Sequence, residues 1–116
     1  MGANANNESK RFRYAFFIKH KYNIQYCQAS GSYTLIYFNN YDPEKASYRI
    51  GCVEEELNDG FFIRCHNSYI VNIYCILCIC NGKNKLILSS GEEIPITRKY
   101  KNELIELLSK EFVTLT

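Results

Sequence analysis

Apolar residues in this chain come in short runs rich in Tyr, Phe and Ile, and nearly every gap between runs carries residues that reverse a backbone. The runs are Phe12–Ile18, Ile24–Ala29, Tyr33–Phe38, Tyr48–Cys52, Phe61–Cys65, Tyr69–Ile73, Ile76–Cys80, Lys85–Leu88 and Glu93–Ile96. Aromatic and β-branched side chains in segments this short favour strands. The gaps are Ser30-Gly31-Ser32, Asn39-Asn40 through Pro43, Asn58-Asp59-Gly60, Asn81-Gly82 and Ser90-Gly91, each with turn chemistry. An all-β class follows, with hairpins as the main connection and two helical exceptions. Val53–Leu57 reads as a single helical turn, and Lys99–Leu108 as a longer C-terminal helix with Tyr100, Leu104, Leu107 and Leu108 on one face.

One run constrains the architecture further. Cys75 to Cys80 is apolar on both alternating faces, whereas a strand with one wet face should alternate. It is expected to be a central strand covered on both sides, which favours stacked antiparallel sheets over one open sheet. At 116 residues the chain is a single domain. Gly2 to Lys10 offers nothing apolar beyond alanine, so residues 1–10 are expected to be a disordered tail or linker and residues 11–116 the folded domain.

Charge and cysteine content narrow the function classes. Fourteen basic against twelve acidic side chains leave a net charge of +2, which permits nucleic acid without demanding it. The longest apolar stretch, Ile70 to Cys80, is interrupted by Asn72 and falls short of the ~18 residues a membrane span needs. Six cysteines without an N-terminal apolar signal point to a reducing cytoplasm rather than a disulfide framework.

A zinc site from Cys75, Cys78 and Cys80 with Cys65 and His66 is disfavoured, because in a regular strand Cys75 points away from Cys78 and Cys80. No metal and no cofactor is expected. Nor is an enzyme: two histidines and two aspartates accompany no nucleophile elbow and no phosphate-binding loop, and His66 beside Ser68 lacks a third group to orient it. Glu54-Glu55-Glu56 reads as a solvated helix face.

Three connecting segments remain. In Ser30-Gly31-Ser32-Tyr33-Thr34, glycine allows close approach and the hydroxyls can donate to phosphate, although Gly and Ser also make ordinary turns. In Arg64-Cys65-His66-Asn67-Ser68, Asn67 has the amide geometry to bond adenine bidentately, or simply to form a turn. In Thr97-Arg98-Lys99-Tyr100-Lys101, Pro95 stops the preceding strand and Thr97 is a candidate N-cap. Three cations there oppose the helix dipole by a few tenths of a kcal/mol each, a conflict an external anion would relieve.

Taken in order, these segments make the chain resemble the LytTR family of DNA-binding domains of bacterial transcription regulators. The likeness runs through Ala29–Phe38, Glu55-Glu56-Leu57, the Phe62-Ile63-Arg64-Cys65-His66-Asn67-Ser68-Tyr69-Ile70-Val71-Asn72 stretch, and Ser90–Arg98. The resemblance implies about ten strands in stacked sheets and sequence-specific reading of double-stranded DNA by loops. It puts base contacts on Tyr33, Asn67 and Arg98, and phosphate contacts on Ser32, Ser68, Lys99 and Lys101. Direct-repeat promoter sites and self-association on DNA are expected with it.

Two departures stand out: the chain is shorter than the family between Phe16–Lys21 and Ile24-Gln25-Tyr26, and position 33 is a tyrosine, which cannot bond guanine bidentately as arginine does. Family members commonly carry a receiver, sensory or membrane segment ahead of this module, so the chain is expected to be a standalone regulator or a piece of a longer one. Ten tyrosines keep a second function class open, a protein-interaction or dimerisation module on the same fold. Cys65, flanked by Arg64 and His66, is a candidate redox switch, with a buried small hydrophobe as the alternative.

Overall fold

The computed structural model describes residues 20–111. The expected tail over 1–10 and strand over Phe12–Ile18 lie outside the described residues. A 3-10 turn at Lys21–Asn23 opens into β1 (Ile24–Ser30), β2 (Tyr33–Phe38) and β3 (Glu44–Ala46), followed by helix α1 (Ile50–Glu56). Then come β4 (Phe62–His66), β5 (Tyr69–Asn72), a 3-10 turn at Ile73–Cys75 and β6 (Ile76–Cys80). A 3-10 turn at Asn81–Lys83, β7 (Lys85–Leu88), β8 (Glu93–Pro95) and helix α2 (Arg98–Glu111) complete the order. The described residues hold eight strands rather than about ten.

The strands form two sheets, ordered β3-β2-β1-β5-β4 and β6-β7-β8, with every pairing antiparallel. Period-two alternation divides the inner strands of the larger sheet between two cores. Cys27, Ile36 and Ile70 pack with Ile50, Val53 and Leu57, so α1 covers that face. Tyr26, Cys65 and Val71 pack with Ile79, Leu86, Leu88, Ile94, Leu104 and Leu108, so the smaller sheet and α2 cover the other. The expectation of stacked sheets holds, and a sheet covered on both faces explains why Tyr69, Ile70 and Val71 of β5 are apolar in succession.

Three local expectations need correction. The strand covered on both sides is not Cys75–Cys80: β6 ends the smaller sheet, and Leu77 is 63% exposed. The register between β6 and β7 jumps from Ile76↔Leu88 to Cys78↔Ile87, so Leu77 is an unpaired bulge residue that the ladder turns outward. Among the described residues no three metal-ligating side chains meet. Secondly, Tyr48–Cys52 is not a strand. Ile50, Val53 and Leu57 recur at helical spacing and are buried together, while the Arg49 carbonyl accepts from the N–H groups of Cys52 and Val53 to open the first turn. Thirdly, β3, only three residues long and carrying Glu44 and Lys45, was absent from the expected strands.

Candidate nucleic-acid interface

Register alone brings the first two polar segments together. Ser30 pairs with Tyr33 across the β1–β2 turn, Gln28 with Tyr69 across β1 and β5, and His66 with Tyr69 across the β4–β5 turn. Both turns therefore leave the same end of the larger sheet, about 10 Å apart at ordinary strand spacing. A backbone bond joins them directly, from the Ala29 N–H to the Ser68 carbonyl at 2.8 Å.

A bulge recruits the third segment. Pairing jumps from Arg64↔Ile70 to His66↔Tyr69, which leaves Cys65 out of the β4–β5 ladder. Its freed carbonyl accepts from the Thr97 N–H at 3.0 Å, immediately before Arg98 opens α2. Tyr33, Asn67 and Arg98 are all exposed at this one end, borne on two turns and a helix start that backbone bonds connect.

The surroundings of each residue differ. Tyr33 is 42% exposed, and the Lys45 ammonium lies 4.0 Å from the centre of its ring, a cation–π contact. Ser32 is exposed, while Ser68 is half-buried and its N–H donates to His66 Nδ1 at 3.0 Å. Lys99 is exposed, with its ammonium 5.2 Å from the Tyr100 ring centre. Lys101 donates to Asn84 Oδ1 at 3.0 Å, so a phosphate there would compete with this bond.

Two hydroxyls in the segments are buried instead of facing outward. Thr34 is fully buried and donates to the Tyr48 carbonyl at 2.7 Å, which removes it from the phosphate donors expected of the first turn. Thr97 precedes α2, yet its Oγ1 is buried with no hydrogen-bond partner, so the side-chain cap is not made. Asn72, at the far end of β5, is buried and bonds the Ile24 carbonyl and the Tyr74 N–H at 2.9 Å each, locking β5 to β1.

Cys65 is fully buried and its thiol is pushed up to about 12 by desolvation, which outweighs a backbone hydrogen bond and the weaker pull of the Arg64 charge. Burial therefore outweighs the Arg64 charge beside it, and Cys65 sits as a small core residue. Sequence reasoning also passed over the partners of Arg64, which donates to Glu54, to the His66 carbonyl and to the Asn67 carbonyl. Its place in a polar segment was visible in the sequence; the ten-residue reach to Glu54 was not.

A doubly covered β-sheet that presents two turns and a basic helix start at one end offers polar and basic groups on one surface, the kind that can meet phosphates and base edges. The sequence profile described as the LytTr DNA-binding domain matches residues 16–109. The chain belongs to this family of DNA-binding domains. It is similar to the LytTr DNA-binding domain of a methyl-accepting/DNA response regulator from Bacillus cereus, with a TM-score of 0.66 and 27% identity. That likeness covers 74% of this chain and 81% of the other. The sensory transduction protein LytT of Bacillus subtilis is 41% identical over 59 residues, 48% of this chain and 24% of the relative. A response regulatory protein of Vibrio cholerae is 39% identical over 49 residues, 40% of this chain and 21% of the relative. The chain thus spans under a quarter of the length of these two relatives.

Proposed function

We propose that this domain reads specific double-stranded promoter DNA as the output module of a cytoplasmic bacterial transcription regulator. Tyr33, Asn67 and Arg98 contact base edges, and Ser32, Ser68, Lys99 and Lys101 hold phosphates. The observation that carries this reading is the convergence of all three segments on one end of the sheet, joined through Ala29–Ser68 and Thr97–Cys65 backbone bonds. Groups fixed to one frame meet a duplex together, without the entropic cost of ordering separate loops. Two copies side by side on a direct repeat extend the same interface along the DNA.

The test is a mobility-shift titration on a sequence obtained by unbiased selection. Asn67→Ala or Arg98→Ala costs about 1–3 kcal/mol of affinity and relaxes preference at one base pair. Lys101→Ala weakens all sequences alike and lowers the salt slope by about one unit. If both Asn67→Ala and Arg98→Ala leave affinity and preference unchanged, this assignment is wrong. Affinity that barely responds to salt instead indicates the protein-interaction module.

A further inference from the structure

Arg64 belongs to the second polar segment by position, but its side chain is only 15% exposed and Nε, Nη1 and Nη2 each donate to a partner within the protein. Nε donates to the His66 carbonyl at 2.9 Å and Nη2 to the Asn67 carbonyl at 2.6 Å. Nη1 donates to Glu54 Oε1 at 2.6 Å. One planar fork thus clamps two successive carbonyls and ties them to α1, a helix seated on the sheet by Ile50, Val53 and Leu57.

The turn needs such a clamp. Only Asn67 and Ser68 separate β4 from β5, and neither has a positive φ. Two-residue hairpins that match the strand twist use positive φ at their first central residue; other turns splay the strands. The unpaired Cys65 just before the turn weakens the ladder further. Without external support the orientation of Asn67 is underdetermined.

We propose that Arg64, anchored by Glu54, is a positioning residue that sets the Asn67 turn for base reading and does not itself touch DNA. The inference rests on Asn67 being a base reader, and it makes α1 part of the specificity machinery. Lysine cannot replace the fork, because a single ammonium does not span three acceptors held in one plane.

The experiment measures affinity, salt slope and single-base discrimination for Arg64→Lys, Glu54→Gln, Asn67→Ala and the Arg64→Lys/Asn67→Ala double variant. Arg64→Lys is expected to lower discrimination roughly tenfold at the base pair read by Asn67, a bidentate contact's worth, with other positions and the salt slope unchanged. Glu54→Gln shifts discrimination the same way by less, and carries the test if Arg64→Lys does not fold. The double variant should match Asn67→Ala alone. A salt slope lower by about one unit makes Arg64 a phosphate contact and overturns the proposal, as does additivity in the double variant. If Asn67→Ala lowers discrimination while Arg64→Lys and Glu54→Gln do not, the positioning role alone fails. If Asn67→Ala has no effect, the base-reading assignment fails and takes the positioning role with it.

Discussion

The two turns at the proposed reading end have the same length and leave the same sheet, yet different physics holds them. In the first, Gly31 has a φ of +62° at the first central position and Ser32 does not follow it into positive φ, the pattern of a type II′ turn that fits strand twist unaided. The Asn67 turn has no positive φ and is propped by Arg64, by the His66 ring accepting from the Ser68 N–H, and at one remove by Glu54. One shape is specified by a residue type at the turn itself, the other by side chains reaching in from elsewhere. Changes in α1 should therefore disturb Asn67 and spare Tyr33.

The largest stability effect expected around this contrast is at Thr34, whose buried hydroxyl anchors the strand after the first turn to the Tyr48 carbonyl. Thr34→Val keeps the shape and removes that bond from a buried position, lowering stability by about 1.5 kcal/mol in urea unfolding. Gly31→Ala comes next. An added Cβ would meet nothing within 4 Å, so the cost is the positive φ alone, about 1 kcal/mol by the same measurement. If Gly31→Ala is neutral while Thr34→Val is not, the first turn too is held from outside and the contrast disappears. Asn67→Ala, exposed and without a bonded side chain to lose in the turn's support, should stay within about 0.5 kcal/mol in stability while losing DNA preference.

The smallest effect lies away from both turns, in the loop before β4, where Lys21 Nζ meets Asp59 Oδ2 at 2.6 Å. Burial acts to raise the Asp59 carboxyl, but the hydrogen bonds from Lys21 and the Phe61 N–H outweigh it and hold it below its ordinary 3.8. A lowered carboxyl stabilises the fold above its ordinary pKa, and that contribution is lost as pH falls through the lowered value. The Lys21 ammonium, raised by its bond to Asp59, keeps its share until alkaline pH. Asp59→Asn should cost a few tenths of a kcal/mol at pH 7, with the difference from the parent shrinking below about pH 4 in acid unfolding curves. DNA preference should be untouched, which separates the loop from the reading end.

The same contrast marks what was legible in the sequence. Turns written in local residue type were readable: Ser30-Gly31-Ser32 and Ser90-Gly91 lie where their composition put them, and the strands beside them follow. Elements that depend on distant partners were not. The Tyr48–Cys52 run has β-like composition, and only burial of Ile50, Val53 and Leu57 against the sheet makes it helical. β6 has the composition of a covered strand, and a bulge rather than any residue type exposes Leu77. At the site, Asn67 was visible as part of a polar interruption between apolar runs and Arg98 as a cation set against the helix dipole, whereas the Arg64 clamp and the Cys65 carbonyl's bond exist only once β4, α1 and α2 have docked.

The bonds from Thr97 to Cys65 and from Ala29 to Ser68 tie the end of β4 and its turn to the start of α2 and to β1, segments far apart in the chain. Their amide protons should exchange with deuterated solvent as slowly as those of the central strands, and together, which would make this end of the sheet one cooperative opening unit with the core beneath it.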